Sequence, residues 1–173
     1  MNLGTSLSEG TERAQRVFAR RPKAGLVTAR ATAELTSERA RATVQMGSHQ
    51  LEADSPPPLG GDGIGPTPGD LIRGALAACL AMNYAMHAPR FGVNLTGIDV
   101  AVDTDIDLGR MAGLERDQPV GFGAVRFETT FTSASPEDKV RELAEYAERL
   151  SPTLDDLARG LSTKGTLTIR QPD

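Results

Sequence analysis

The residue with the most distinctive chemistry in this sequence is Cys79, the only cysteine among the 173 residues. A cysteine attacks electrophiles as the thiolate, and a nearby cation lowers its pKa and favours that form. In apolar surroundings the pKa of the thiol rises, and the side chain then behaves as a small core hydrophobe. The sequence leaves both interpretations of Cys79 open.

The other candidates for catalysis or ligation are few. His49 and His87 stand far apart in the sequence, and two histidines with one cysteine do not predict a metal site. We therefore expect neither a metal nor an organic cofactor. A lone cysteine also excludes a disulfide within the chain, which fits a reducing compartment.

Cys79 lies in the middle of a stretch that predicts a long helix. Thr67 is a good N-cap, Pro68 suits the first helical position and Asp70 stands three residues after the cap. From residue 74 to residue 86 only Asn83 is clearly polar. A helix that is apolar nearly all round is expected to be buried.

The spacing of this helix separates its charges from the thiol. Asp70 lies about 180° around the helix from Cys79 and roughly 13 Å along the axis, and Arg73 is about 120° away. Neither side chain can reach the thiol of its own chain. An activating cation must therefore come from another part of the fold. The residues on the same side as the thiol are Ile72, Ala75, Leu76, Met82, Asn83 and Met86.

The elements around this helix predict an α+β fold. Three strands (26–35, 42–46 and 49–53), separated by turns at 36–38 and 47–48, form an antiparallel meander before a loop over 54–65. Strands at 95–108 and 125–131 precede a helix that is capped at Ser135-Pro136, a short helix that starts at Ser151-Pro152, and a last strand at 161–170. We predict one domain over 26–173. Residues 1–25 form an extension with a short helix at 8–20.

Composition excludes several classes of protein. The net charge is −4, and two Tyr, five Phe and no Trp offer few stacking surfaces for bases, so we expect no nucleic-acid partner. No signal peptide is visible and no apolar run is long enough to span a bilayer. These features predict a cytoplasmic protein that is not bound to a membrane.

Several motifs in order resemble those of the OsmC/Ohr family, the osmotically inducible and organic hydroperoxide resistance proteins. They are Gly60-Gly61, Gly65-Pro66-Thr67-Pro68, Asp70-Leu71, Ala75-Leu76-Ala77-Ala78-Cys79 and Leu150-Ser151-Pro152. The resemblance covers about residues 26–170. It implies an OsmC-like fold with an N-terminal meander, a long buried central helix and a second α/β half, assembled as an intertwined homodimer. It also implies that organic hydroperoxides are reduced by a thiol.

The resemblance assigns roles to particular residues. Cys79 takes the place of the peroxidatic cysteine. The arginine that activates it comes from the N-terminal strands, where Arg39 is the best match and Arg41 the alternative. Asp70 falls where many relatives carry a glutamate, although it is shorter by one methylene, and it is a possible partner for that arginine.

The chain departs from the family at Ser151, which takes the place of the second, resolving cysteine. Because serine cannot form a disulfide, the two-cysteine cycle is impossible within this chain. Two hypotheses follow. Cys79 either remains peroxidatic, with an external thiol resolving its sulfenic acid, or catalysis has been lost and the dimer is a ligand-binding or structural module.

Overall fold

The computed structural model describes residues 5–35 and 38–171. The helices are α1 (Thr5–Arg20), α2 (Pro68–His87), α3 (Leu108–Met111), α4 (Glu137–Arg149) and α5 (Pro152–Ala158). The strands are β1 (Ala31–Glu34), β2 (Arg41–Met46), β3 (His49–Asp54), β4 (Leu95–Ile106) and β5 (Phe122–Ser133). This combination of antiparallel strands and a long helix confirms the α+β class.

The first sheet is an antiparallel meander in the order β1-β2-β3, as the sequence predicts. Val44 of β2 pairs with Ala33 on one side and with Leu51 on the other. Gly47 makes the turn into β3 with a φ of 60°, which a residue with a side chain rarely adopts. Strand β1 starts at Ala31 rather than at residue 26, and all four of its residues are exposed. Positions 36 and 37 of the predicted turn lie outside the described residues.

The second sheet pairs β4 with β5 over nearly their whole length. Alternate residues of β4, among them Ile98, Val100 and Val102, face the core, as the period of two predicts. The opposite face is polar and carries the ion pair between Asp105 and Arg126. This sheet provides one wall of the core, against which α2 packs.

Helix α2 occupies the centre of the molecule. Leu76, Leu80 and Tyr84 on one side of it are fully buried against β4, α4 and the residues that follow α2. The other side is open in the single chain: Ile72 is 42% exposed and Met82 is 59% exposed. The burial expected for an apolar helix therefore extends to only one side of α2 within one chain.

Two helix starts differ from the sequence prediction. Helix α1 begins at Thr5, three residues earlier than expected, and contacts α2. Helix α4 begins at Glu137 with Pro136 at the cap position, and Ser135 does not cap it. The Ser135 hydroxyl instead accepts a hydrogen bond from the backbone N–H of Asn94, which ties this loop to the start of β4.

The last strand predicted over 161–170 is wrong for the single chain. Residues 160–171 have no regular secondary structure and are exposed. Leu167 and Ile169, two of the alternating apolar residues that indicated a strand, are 83% and 74% exposed. A strand needs a neighbouring strand edge for its backbone hydrogen bonds. The described part of this chain provides no such edge to these residues.

Candidate active site around Cys79

The start of α2 is fixed by a capping box, which sets the position of Cys79 along the helix. The Thr67 hydroxyl oxygen accepts a hydrogen bond from the backbone N–H of Asp70 at 3.1 Å. The Asp70 carboxylate accepts one from the backbone N–H of Thr67 at 2.8 Å. Both N–H groups would otherwise lack a partner within the helix. This part of the sequence prediction is confirmed.

Cys79 lies at the border between the buried and the open side of α2. Its side chain is partly exposed, and its Sγ is 3.3 Å from Oγ of Ser151. Ser151 itself is 1% exposed, and its Oγ accepts a hydrogen bond from the backbone N–H of Leu154 at 3.3 Å, which caps α5. The hydroxyl that caps α5 is therefore also in contact with the thiol.

The surroundings of Cys79 lower the pKa of its thiol. The largest effect is burial, which raises the pKa, but hydrogen bonds from Ser151 and from the hydroxyl and backbone N–H of Thr153 outweigh it. These two residues are the polar partners of the thiol in the described part of the chain. The sequence analysis missed Thr153, for which the only signal was its place two residues after Ser151.

The two candidate arginines are bound elsewhere within the same chain. Arg39 makes a bifurcated contact with Asp62, at 2.8 Å from Nε and 2.6 Å from Nη2, and also donates to the carbonyl of Gly61. Arg41 lies 3.5 Å from Asp62 and 4.0 Å from Glu52. One chain does not bring either arginine to Cys79. Asp62, which contacts both arginines, was not identified from the sequence.

The loop that carries Asp62 is held by a buried carboxylate. Asp54 is almost completely buried and accepts hydrogen bonds from the backbone N–H groups of Asp62 and Ile64. These bonds, led by that from Ile64, hold the pKa of Asp54 below its usual value. A Cβ on Gly61 would lie 1.7 Å from the carbonyl oxygen of Ser55. Close backbone packing thus requires a glycine at position 61, and the φ of 87° favours one at position 60. The loop that these glycines allow holds the carboxylate that contacts Arg39 and Arg41.

Asp70 does not contact Arg39 or Arg41 in this chain. It forms an ion pair with Arg73, one turn further along α2, and accepts hydrogen bonds from Thr67. The Thr67 bonds are the main reason that the pKa of Asp70 falls to about 2. Arg73 also donates to the Thr104 hydroxyl of β4 at 2.8 Å. Asp70 and Arg73 together anchor the N-terminal turn of α2 to the second sheet.

An open apolar cavity of about 500 Å³ lies beside this N-terminal turn. Its walls come from the loop after β3, the start of α2 and the segment around α3, and Arg73 is the only charged side chain among the described residues that line it. Apolar side chains that contribute to it are Leu59, Ile72, Ile106, Leu108, Met111 and Phe122. The cavity has the size and chemistry of a small-molecule site.

The remaining polar candidates have structural contacts. Asn83 donates a hydrogen bond to the carbonyl of Ala147 at 2.6 Å and so joins α2 to α4. His87 is buried with its ring edge-on to Tyr146, and burial lowers its pKa. Among the described residues no three His, Cys, Asp or Glu side chains are grouped so that they could hold a metal ion.

The fold and this site define a class of protein: an α+β unit with a meander, a long central helix and a thiol on that helix in contact with the segment after α4. The family model described as OsmC-like protein matches residues 60–164, more than half of the chain. The chain belongs to this OsmC-like family. No curated protein sequence matches it significantly.

Solved structures support the assignment of the fold. An OsmC-like protein from Mycoplasma pneumoniae superposes with a TM-score of 0.66 at 17% identity, over 76% of this chain and 88% of its own. An organic hydroperoxide resistance protein OsmC from Legionella pneumophila gives 0.59 at 17% identity, over 77% and 90%. An organic hydroperoxide resistance protein from Elizabethkingia anophelis gives 0.59 at 21% identity, over 78% and 90%. At these identities the likeness concerns the fold.

None of the helices in the described ranges is both long and apolar enough to cross a lipid bilayer.

Proposed function

We propose that this chain is a one-cysteine thiol peroxidase that reduces organic hydroperoxides in the defence against oxidative stress. The supporting observation is the environment of Cys79. The thiol is partly exposed, has a lowered pKa and contacts a hydroxyl group at the position where the family has its second cysteine. A thiolate that a peroxide can reach is the nucleophile that this chemistry needs.

The proposed cycle begins when the Cys79 thiolate attacks the terminal oxygen of a hydroperoxide. The O–O bond breaks, the alkoxide leaves and takes up a proton to become an alcohol, and Cys79 becomes a sulfenic acid. A first external thiol displaces water from the sulfenic acid and forms a mixed disulfide. A second external thiol attacks that disulfide and releases Cys79. One hydroperoxide and two thiols thus give an alcohol, water and an external disulfide.

We also propose that the working unit is a homodimer. The open side of α2, where Ile72 and Met82 are exposed, is an apolar helix face that one chain does not cover. A second copy of α2 on this face would bury it, as the family resemblance implies. In such a dimer Arg39 or Arg41 of the partner subunit, oriented by Asp62, is the cation proposed to approach Cys79.

The role of Asp70 in this proposal is positional. The family resemblance suggested that it supports the activating arginine, but its carboxylate is engaged by Thr67 and Arg73. Asp62 already binds both candidate arginines. We therefore assign the orientation of the arginine to Asp62. A cytoplasm rich in reduced thiols is the location that we propose for the protein.

The test is the consumption of an organic hydroperoxide by purified protein with an added dithiol, compared with the variant Cys79→Ser. We expect a thiol-dependent turnover that falls to the uncatalysed background in the variant, because no other cysteine exists in the sequence. Equal rates for the two proteins would remove the peroxidase proposal.

The second candidate function is a dimeric ligand-binding module without catalysis. The apolar cavity of about 500 Å³ beside α2 favours it, because that volume accommodates a small apolar molecule. This alternative requires an unreactive thiol. Rapid alkylation of the native protein by iodoacetamide at pH 6 argues for the peroxidase, whereas reaction only above pH 8 argues for the binding module.

A further inference from the structure

Ser151 has a chemical function of its own in this chain, beyond the absence of a second thiol. We propose that the Ser151 hydroxyl is a positioning residue that donates its hydrogen bond to the Cys79 thiolate, so that the position which the family resemblance assigns to a resolving cysteine here stabilises the attacking form. This inference deepens the proposed function, on which its catalytic meaning rests.

The first step of the argument is the direction of the hydrogen bond. A serine hydroxyl has one hydrogen to donate and two lone pairs to accept with. In this structure Ser151 Oγ accepts from the backbone N–H of Leu154 at 3.3 Å, which uses one lone pair. The hydroxyl hydrogen is not needed for that bond. It is therefore available for the Cys79 sulfur at 3.3 Å, and a thiolate can only accept.

The second step is the rigidity of the donor. Ser151 is 1% exposed, directly precedes Pro152 and is fixed by its capping bond to α5. A donor that is already fixed and desolvated loses little entropy and competes with little water when it binds an anion. The same hydroxyl on a mobile surface loop would contribute much less to the stability of the thiolate.

The third step is the balance of effects at the sulfur. Burial of Cys79 acts against the thiolate, and the pKa of its thiol is nevertheless lowered, with Ser151 as the largest of the opposing contributions and Thr153 next. The described part of the chain provides no guanidinium contact at this sulfur. Ser151 thus contributes stabilisation within one chain, whether or not an arginine of the partner subunit also approaches.

The experiment measures the pH dependence of alkylation of Cys79 in the full-length protein, since a single cysteine makes the signal unambiguous. In Ser151→Ala we expect the midpoint of the rate profile to rise by about one pH unit, so that the rate at pH 6 falls about tenfold. Ser151→Thr, which keeps both the donor and the cap, should stay close to the unmodified protein. A midpoint in Ser151→Ala that stays within about 0.2 pH units of the midpoint of the unmodified protein overturns the proposal.

A second variant separates the hydroxyl from its structural role. Glycine keeps most of the N-cap stability of serine but has no hydroxyl. If the thiolate contact is the cause, Ser151→Gly and Ser151→Ala shift the midpoint equally although their stabilities differ. If the shift instead follows the loss of stability, the contact is only structural and the proposal fails. Ser135→Ala, which removes a hydroxyl bonded to the Asn94 N–H far from the thiol, is the matched control and should leave the midpoint unchanged.

The experiments distinguish a failure of this inference from a failure of the proposed function. Should the protein consume no hydroperoxide while Ser151→Ala still raises the midpoint, the peroxidase proposal fails and the assignment of Ser151 stands. Should turnover be thiol-dependent with the same pH profile in Ser151→Ala, the peroxidase proposal stands and this inference is refuted.

Discussion

At the scale of the residue, the chemistry of the site depends on a small number of atoms around one sulfur. Burial disfavours the thiolate form of Cys79, whereas the hydroxyl of Ser151 and the hydrogen-bond donors of Thr153 stabilise it. Burial is the largest single effect on the pKa of Cys79, and the hydrogen bonds from Ser151 and Thr153 within the single chain together outweigh it. The arginine proposed to come from a second chain would lower this pKa further. This arrangement makes position 151 the most informative site for substitution.

Ser151→Cys is expected to restore a cysteine pair. The distance between Sγ of Cys79 and Oγ of Ser151 is 3.3 Å, and a disulfide needs about 2.0 Å, which a small movement of the two side chains can provide. After treatment with one equivalent of hydroperoxide we expect the variant to lose both free thiols without an external thiol, seen as a loss of about two mass units in the intact protein.

The control for this prediction is the unmodified protein, which under the same treatment should keep a trappable sulfenic acid. If the unmodified protein formed the sulfenic acid while the variant formed no disulfide, the two side chains would not be adjacent in solution. Such a result would contradict the contact between α2 and the start of α5.

At the scale of the element, helix α2 was predictable in its start and its length because local chemistry determines both. Thr67 and Asp70 form the expected capping box, Pro68 takes the first helical position, and the apolar run continues through the core. The partner of Asp70 was not predictable, because the pairing with Arg73 competes with any pairing to the first hairpin and only geometry decides between them. Likewise, nothing in the residue types indicated that Asp62 would bind Arg39 and Arg41 together.

Asp70→Ala is expected to destabilise the protein by about 0.5–1 kcal/mol at pH 7, a value reduced for the exposure of this carboxylate to solvent. The pKa of Asp70 is lowered to about 2 in the folded state, against about 3.9 in an unfolded chain. A lowered pKa means that the stabilisation is fully present above about pH 4 and is lost as the pH falls through about 2.

Urea unfolding of Asp70→Ala and of the unmodified protein at a series of pH values checks the predicted pH dependence of this stabilisation. The difference in unfolding free energy should shrink steadily from pH 5 towards pH 2. Asp117→Ala, which removes an exposed aspartate from the connection before β5, should cost less than about 0.5 kcal/mol at every pH. A pH-independent difference for Asp70→Ala would mean that its carboxylate does not stabilise α2 electrostatically.

At the scale of the whole molecule, three features that the sequence did not place correctly share one cause. The exposed β1, the open side of α2 and the irregular segment 160–171 all carry apolar or strand-forming residues that the described part of one chain does not cover. Periodicity reports which residues prefer burial or extension, but it does not report which chain supplies the neighbour. The alternation at 161–170 therefore predicted a strand that a single chain does not form.

Met82→Glu is expected to weaken the proposed dimer at least about a hundredfold. Met82 is 59% exposed on the open side of α2. A second copy that covered this side would bury an unpaired carboxylate at a cost of several kcal/mol. Each 1.4 kcal/mol corresponds to a tenfold change in affinity. Sedimentation at micromolar concentration should show a dimer for the unmodified protein and a monomer for the variant. Leu114→Glu, at an exposed apolar residue between α3 and β5, is the matched control and should remain dimeric.

The same three proteins test whether the C-terminal segment becomes ordered in the dimer. If residues 161–170 become a strand by pairing with an edge of the second copy, their backbone amides gain hydrogen bonds only in the dimer. Hydrogen exchange should then be slow for this segment in the unmodified protein and in Leu114→Glu, and fast in Met82→Glu. Fast exchange in a protein shown to be dimeric would mean that assembly covers α2 without ordering the C-terminal segment. Leu167 and Ile169 are exposed in one chain, so their alternation would then need an explanation other than strand pairing in the dimer.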